Sequence, residues 1–195
     1  GCELVEINPL VISEDGRLIA LDAKVVLDDR TPQAQEMKDQ QQAEASGLEA
    51  DLAEYGILAV QLEGDIAVVT TGAGIAMATG DAILQMGGSL AGVVDLGGTV
   101  GYDSEVASGV IRMLESLEAQ VMLFNLYTNN TRLDGIARAI GIALDGYAKR
   151  PKAVVRLKGY FAQEGFQELQ DTDVLLTDDL ETACKEAVLM AKRVS

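Results

Sequence analysis

From residue 56 onward the chain alternates short apolar runs with longer stretches in which apolar residues recur every three or four positions. The runs GILAVQL, IAVVTT, AGVVDL, AQVMLFNL, KAVVRL and DVLLT read as strands, the first two around a Glu63-Gly64-Asp65 turn. The stretches between and after them read as helices over about residues 74–86, 103–118, 132–148, 162–170 and 179–193. Three of these helices carry one stripe. Val106, Val110, Met113, Leu114 and Leu117 fall at i, i+4, i+7, i+8 and i+11, and Ile136, Ile140, Ala143, Leu144 and Tyr147 repeat the intervals. Leu180, Cys184, Ala187, Val188 and Ala191 do so again.

Each stripe needs a sheet to cover, and strands apolar on both faces joined by helical crossovers form a parallel, doubly wound sheet. The pattern predicts an α/β fold over residues 54–195: a flavodoxin-like (Rossmann-like) three-layer domain, with its sites at the carboxyl ends of the strands. Residues 31–53 are polar, Gln-rich and poor in large apolar groups, and read as a connector with some helix. Residues 1–30 hold the stretch VEINPLVISEDGRLIALDAK, two apolar runs flanking a Ser-Glu-Asp-Gly turn, which is a β-hairpin signal. Glu6, Asn8 and Asp22 interrupt strands that otherwise read as buried. The chain begins without Met and reads as strand by residue 4; a two-stranded hairpin is marginal alone, so a preceding portion of chain is expected to pair with it.

Composition narrows the function. Thirty-one acidic against 15 basic residues give a formal charge of -16, which repels phosphate backbones and anionic membranes and makes nucleic acid and lipid poor partners. No apolar run approaches the roughly 20 residues that span a bilayer, and the N-terminus lacks a signal-peptide pattern; a soluble, cytoplasmic protein is expected, or a mitochondrial matrix one in a eukaryote. Cys2 and Cys184 form no metal-ligand spacing and read as ordinary thiols. The chain has no histidine, so a reaction that needs imidazole requires a partner to bring it.

Four loops fall at predicted strand ends: residues 70–81, 95–103, 125–134 and 156–165. The first three run from a strand into a helix N-terminus with Gly or small polar residues, a context that binds phosphate or carboxylate through unpaired N–H groups and the helix dipole. Taken singly, each loop reads first as backbone geometry, and Asp81 and Asp103 as helix-start residues. Together they point to an anionic ligand, held by local donors or with a basic partner's help against the net negative charge.

With the hairpin, the Gly-rich loops and their order in hand, the sequence resembles the β subunit of succinyl-CoA synthetase, an ADP- or GDP-forming carboxylate–CoA ligase, over nearly its whole length. EINPLVISEDGRLIALDAKV is similar to the end of that family's ATP-grasp domain, which reads EINPL, a turn, then LDAK or LDGK. GAGIAMAT followed by GG and DLGG resembles the series NGAGLAMAT, HGG and DVGGGA. The resemblance implies that Asn8 and Asp22 ligate Mg²⁺, which bridges the phosphates of ATP or GTP, and that Glu6 on the same face is the catalytic acid beside the phosphoryl path. It implies substrate and phosphate binding by Thr71, Gly72, Gly74, Thr128, Asn129, Asn130 and Thr131, at a helix that begins at about Thr131 to Asp134. It also implies a relay: the nucleotide phosphorylates a histidine of an α subunit, the phosphohistidine passes its phosphoryl group to a carboxylic acid, and CoA, bound mainly by the α subunit, attacks the acyl phosphate. For Asn8 and Asp22 the plainer alternative is a cap before Pro9 and a surface pair with Lys24 or Arg17.

The departures gather at the acid and phosphate rim. Thr71 stands where the family has Asn, and NLYTNNT replaces its Gly-Gly-Ile loop. GGTV replaces GGGA, and RLKG, with Lys158, replaces Arg-Leu-Glu-Gly. Another acid, such as malate, citrate or a bulkier one, is therefore open, and so is a non-catalytic paralogue that docks a partner. A receiver-like regulatory domain shares the fold but gives the hairpin and Gly loops no role. The nucleotide-clasping portion would precede residue 1, so these residues alone are expected to bind no nucleotide.

Overall fold

The computed structural model describes residues 1–28, 31–34, 36–37, 47–53, 57–96, 116–146 and 151–194. The chain divides into two compact units, Gly1–Ala45 and Ser46–Ser195.

In the first unit the expected hairpin is split into two antiparallel ladders. β1 (Cys2–Ile7) pairs with β4 (Ala23–Leu27), and β2 (Leu10–Ile12) pairs with β3 (Leu18–Ala20). The break falls at Asn8-Pro9, a cis peptide, where proline has no N–H to give the ladder. The Leu21 N–H bonds the Pro9 carbonyl at 3.1 Å and carries the pairing across the break. At the tip, Gly16 (φ +82°) donates its N–H to the Ser13 carbonyl at 2.8 Å, and the Ser13 N–H bonds the Arg17 carbonyl at 2.9 Å.

The second unit holds α1 (Leu48–Ala53), inside the segment read as connector, where residues 32–34 and 36–37 are also helical. Then follow β5 (Leu58–Gln61), β6 (Ile66–Thr70), α2 (Ala73–Gln85), β7 (Leu90–Asp95), β8 (Val121–Thr128), α3 (Leu133–Gly146), β9 (Lys152–Gly159), α4 (Ala162–Leu169), β10 (Leu175–Thr177) and α5 (Leu180–Val194). The sheet order is β10-β9-β8-β6-β7-β5. Every pairing among the first five is parallel, as expected, but β5 runs antiparallel to β7, so the sheet is mixed.

β5 and β6 flank the 63–65 turn without pairing, because β7 lies between them. Asp65 fixes this start. Its carboxylate accepts from Ser89 Oγ and from Gln120 Nε2, each at 2.8 Å, tying β6 to the segments before β7 and β8. A Cβ on Gly64 would lie 2.6 Å from the Leu90 carbonyl oxygen, so only glycine lets the chain pass there.

Two apolar clusters cover the two sheet faces, giving three layers. On one face Ala67, Val69, Met122, Phe124 and Val155 pack with Ile136, Ile140 and Leu144 of α3. On the other, Ile66, Val68, Leu123 and Val154 pack with Ile83 of α2 and Cys184, Ala187 and Val188 of α5. The stripes read on α3 and α5 are thus their buried faces, Leu180 being partly buried. Tyr147, Asp103, most of the stripe at 106–117 and most of the 95–103 loop lie outside the described residues; Leu117 is buried. Asp81 falls in the body of α2, not at its start, because the helix already begins at Ala73.

Candidate functional site

The carboxyl ends of β6 and β8 meet where Thr71 bonds Tyr127. The Thr71 hydroxyl donates to the Tyr127 carbonyl at 2.8 Å and accepts the Tyr127 N–H at 3.1 Å, stapling the two strand ends. Beside this staple opens a cavity of about 450 Å³ lined by Thr71, Ile75, Tyr127, Thr128, Asn129, Asn130 and Thr131. The structure therefore brings together five of the seven residues expected to bind acid and phosphate. Gly72 and Gly74 do not line it: Gly72 caps the start of α2, and Gly74 lies in its first turn, where an added Cβ meets nothing.

Within the loop Thr128 is the organiser. Its Oγ1 accepts the N–H groups of Asn130 at 3.3 Å and Thr131 at 3.0 Å and donates to Asn130 Oδ1 at 3.0 Å. Small hydroxyl side chains favour this local pattern at a helix start. α3 then begins at Leu133, inside the expected interval, and the Leu133 N–H bonds the Tyr160 carbonyl at 3.0 Å. Arg132 grips Asp134 through two contacts, 3.1 and 2.7 Å, while its guanidinium stacks 3.7 Å over the Phe161 ring. The Arg132 hydrogen bond holds the Asp134 carboxyl below its ordinary range. Gly159, at φ +118°, lets β9 close on this loop: the Tyr160 N–H bonds the Thr128 carbonyl at 2.8 Å, and a Cβ on Gly159 would stand 2.0 Å from that oxygen.

Beneath the rim lies a polar layer missing from the expected residue set. Asp95, Thr70, Asn125, Arg156 and Thr177 occupy one register row across β7, β6, β8, β9 and β10. The Arg156 guanidinium, although buried, donates to Asn125 Oδ1 at 2.7 Å and to the Asp178 carbonyl at 3.0 Å. Asn125 Nδ2 donates to Thr79 of α2 at 2.7 Å. The signal was present in the sequence, since Asn125 and Arg156 interrupt the apolar runs VMLFNL and KAVVRL. Lys158 sits one step further out, exposed and paired in register with Tyr127. At the start of α5 the Thr182 N–H bonds Asp179 Oδ2 at 2.7 Å and holds that carboxyl below its ordinary range, with the Arg156 and Lys158 charges adding to the effect.

In the hairpin unit the structure brings Glu6 and Asn8 together: Asn8 Nδ2 donates to Glu6 Oε1 at 3.3 Å. Glu6 stands opposite Lys24, and Asn8 and Asp22 follow the last ladder pair, Ile7 with Ala23. Asp22 turns Oδ1 to the Ala23 N–H at 2.8 Å. Arg17 pairs with Asp15 at 2.7 Å, so an Arg17–Asp22 pair is not formed. Among the described residues no group of three or more His, Cys, Asp or Glu is placed to hold a metal. The hard oxygens of Asn8 and Asp22 suit Mg²⁺ nonetheless, an ion that takes one or two protein ligands and fills its shell from phosphate and water. Among the described residues no helix is long and apolar enough to cross a membrane.

A mostly parallel sheet with helices on both faces, and a cavity at its carboxyl edge, defines a Rossmann-like α/β domain. The family model described as CoA-ligase matches residues 69–190, and the chain belongs to that family. It is 38% identical over 201 residues to the succinate–CoA ligase [ADP-forming] subunit beta of Halorhodospira halophila, covering 98% of this chain and 50% of that protein. It is 34% identical to the subunit of the same name from Pyrobaculum islandicum, with 97% and 51% covered. The chain thus spans about half the length of the curated relatives it matches. Among solved structures it resembles a variant of Methanosaeta concilii ATP citrate lyase in complex with (3S)-citryl-CoA, with a TM-score of 0.59, 20% identity, and 89% of this chain and 51% of that one covered. That likeness supports the fold.

Proposed function

We propose that this chain is the carboxyl-terminal part of the β subunit of a nucleotide-dependent carboxylate–CoA ligase that works with an α subunit carrying a phosphohistidine. The observation that carries the reading is a CoA-ligase-family domain whose cavity sits at the carboxyl end of β8, directly before the N-terminus of α3. An acyl phosphate forms where an acid's carboxylate and a phosphoryl donor are held side by side, and a helix start beside hydroxyl and amide groups favours both anions.

In this reading the residues lining the cavity, Thr128 to Thr131, orient the acid, Thr71 fixes the end of β8 beside them through Tyr127, and Lys158 draws anions toward the rim. The imidazole comes from the α subunit, in keeping with a chain that has no histidine. The hairpin belongs to an ATP-grasp domain, where Asn8 and Asp22 would hold Mg²⁺ against the phosphates of ATP or GTP and Glu6 lies beside the phosphoryl path. When bound, the ion neutralises phosphate charge. CoA is bound mainly by the α subunit. The compartment that suits this reading is the cytoplasm, or the mitochondrial matrix in a eukaryote.

The test is to produce the natural full-length chain with its α partner and supply nucleotide, CoA and a panel of carboxylic acids. Thioester, ADP or GDP, and an acid-labile phosphohistidine on the partner are expected. A well-assembled complex that yields none of them would instead make this chain a non-catalytic paralogue.

A further inference from the structure

We infer that Arg156 is a positioning residue for the Tyr127–Thr131 cavity: from beneath the rim its guanidinium sets the direction of a hydrogen-bond chain that ends on the first turn of α2, and so holds the cavity's two walls in one geometry. This rests on the ligase reading above and adds to it a residue that acts through others.

Arg156 lies in β9 directly opposite Asn125 of β8 and donates from Nη1 to Asn125 Oδ1 at 2.7 Å. Asn125 Nδ2 donates to Thr79 Oγ1 at 2.7 Å, and the Thr79 hydroxyl donates to the Ile75 carbonyl at 2.7 Å. Arg156, Asn125 and Thr79 are buried. Ile75, in the first turn of α2, lines the cavity.

The charge fixes the direction of the chain. A guanidinium offers only N–H donors, has no acceptor and keeps its proton. Asn125 must therefore turn its carbonyl to Arg156 and its NH₂ to Thr79. Thr79 Oγ1 accepts there, so its own hydrogen goes to Ile75. A neutral residue at 156 that could also accept would let the amide flip and the chain run either way.

The same guanidinium donates from Nε to the Asp178 carbonyl, just past β10, at 3.0 Å. Among the described residues no carboxylate stands within ion-pair distance of it. Its buried charge is met by oxygens of separate elements instead of by one acid, an arrangement that ties those elements together. The cavity needs such a tie. Thr71 and Ile75 belong to the entry into α2, and Tyr127 to Thr131 to the end of β8. The Thr71–Tyr127 staple joins these walls at the rim, and the Arg156 chain joins them one layer below, since Asn125 precedes Tyr127 on the same strand face. Small misplacements of a bound reactant are costly, so a slack wall should show in the handling of the acid.

The experiment uses the full-length chain with its α partner and, from the acid panel, the acid turned over fastest. Arg156→Lys keeps the charge but cannot span Asn125 and Asp178 together, and Thr79→Val keeps the shape but removes the hydroxyl link. Each should raise the acid KM by about fivefold or more, while the KM values for nucleotide and CoA stay within about twofold. The double variant should be no worse than the poorer single one, because both cut the same chain. Thr79→Ser returns the hydroxyl and should restore the acid KM. Val188→Ala, in the α5 core near Ile66 at the amino end of β6, should lower the unfolding midpoint without moving the acid KM. An acid KM unchanged in Arg156→Lys or Thr79→Val, effects that multiply in the double variant, or an equal rise in Val188→Ala would overturn the inference while leaving the ligase reading standing. No thioester from any acid in the wild-type complex would overturn the ligase reading, and this inference with it.

Discussion

The Arg156 guanidinium donates from Nη1 to the side-chain carbonyl of Asn125 at 2.7 Å, and Asn125 passes the contact on by donating to Thr79 Oγ1 at 2.7 Å. Three elements, β9, β8 and α2, are joined through side chains buried in the sheet domain. The buried cation has its charge spread over amide and carbonyl oxygens, the second being the Asp178 carbonyl at 3.0 Å. Asn125→Leu keeps the branched outline of the side chain but removes the acceptor from Arg156 and the donor from Thr79. Leaving a buried charge short of a partner is costly, so a loss of about 3 kcal/mol is expected. Urea unfolding should show a lower midpoint with an unchanged slope. A midpoint within error of wild type would mean that water replaces the amide without cost.

Gly159 and Thr128 supply a second test. The missing Cβ at Gly159 is what allows β9 to approach the Thr128 carbonyl, and its φ of +118° is one that L side chains avoid. Gly159→Ala therefore strains the backbone and pushes on the loop that lines the cavity. A destabilisation on the order of 2–4 kcal/mol is expected, together with a raised KM for the acid in the full-length complex. Gly74→Ala is the control, since a Cβ there meets nothing. It lies in the first turn of α2 and should be neutral or slightly stabilising by the propensity difference.

Much of this was legible from residue patterns, and the misses share a cause. Ile136, Ile140 and Leu144 announce a buried helix face because helical spacing projects onto a sheet in one way only. Thr128 to Thr131 could be placed at a strand end because β8 is apolar and the loop is not. The antiparallel direction of β5 could not be read, since its residues suit either direction and only the passage of Gly64 past Leu90 puts β7 between β5 and β6. The split of the hairpin depended on Pro9, whose lost N–H was visible but whose effect on pairing depended on Leu21 bridging the break. The Asn125–Arg156–Thr79 chain required strand register, which sequence spacing does not supply. The reach of Thr128 to two N–H groups required the loop's path.

The two thiols should separate cleanly by reactivity. Cys184 is enclosed between α5 and the sheet, and burial pushes its thiol above the ordinary range. Cys2 is exposed on β1. One equivalent of a thiol reagent at neutral pH should label Cys2 in the folded protein, and the second should react only after denaturation. Peptide mapping by mass spectrometry identifies the modified residue. Rapid labelling of Cys184 in native protein would show that α5 opens readily.

Acid should loosen the start of α3 through Asp134. Its carboxyl is held below the ordinary 3.8 mainly by the Arg132 hydrogen bond. A carboxyl lowered in the folded state binds fewer protons there than when unfolded, so stability rises with pH across its titration. The contribution is complete above the unfolded value of 3.8 and is lost as pH falls below that toward the lowered native one. Asp134→Asn keeps the shape and removes the titration. The variant should be less stable than wild type at pH 6, and the gap should narrow as pH drops below about 4. Thermal unfolding followed by circular dichroism between pH 6 and pH 3 measures it. High salt should shrink the difference at pH 6 as well, because the pair stands near the surface. A gap that stays constant with pH would assign the effect of Asp134 to helix geometry instead of charge.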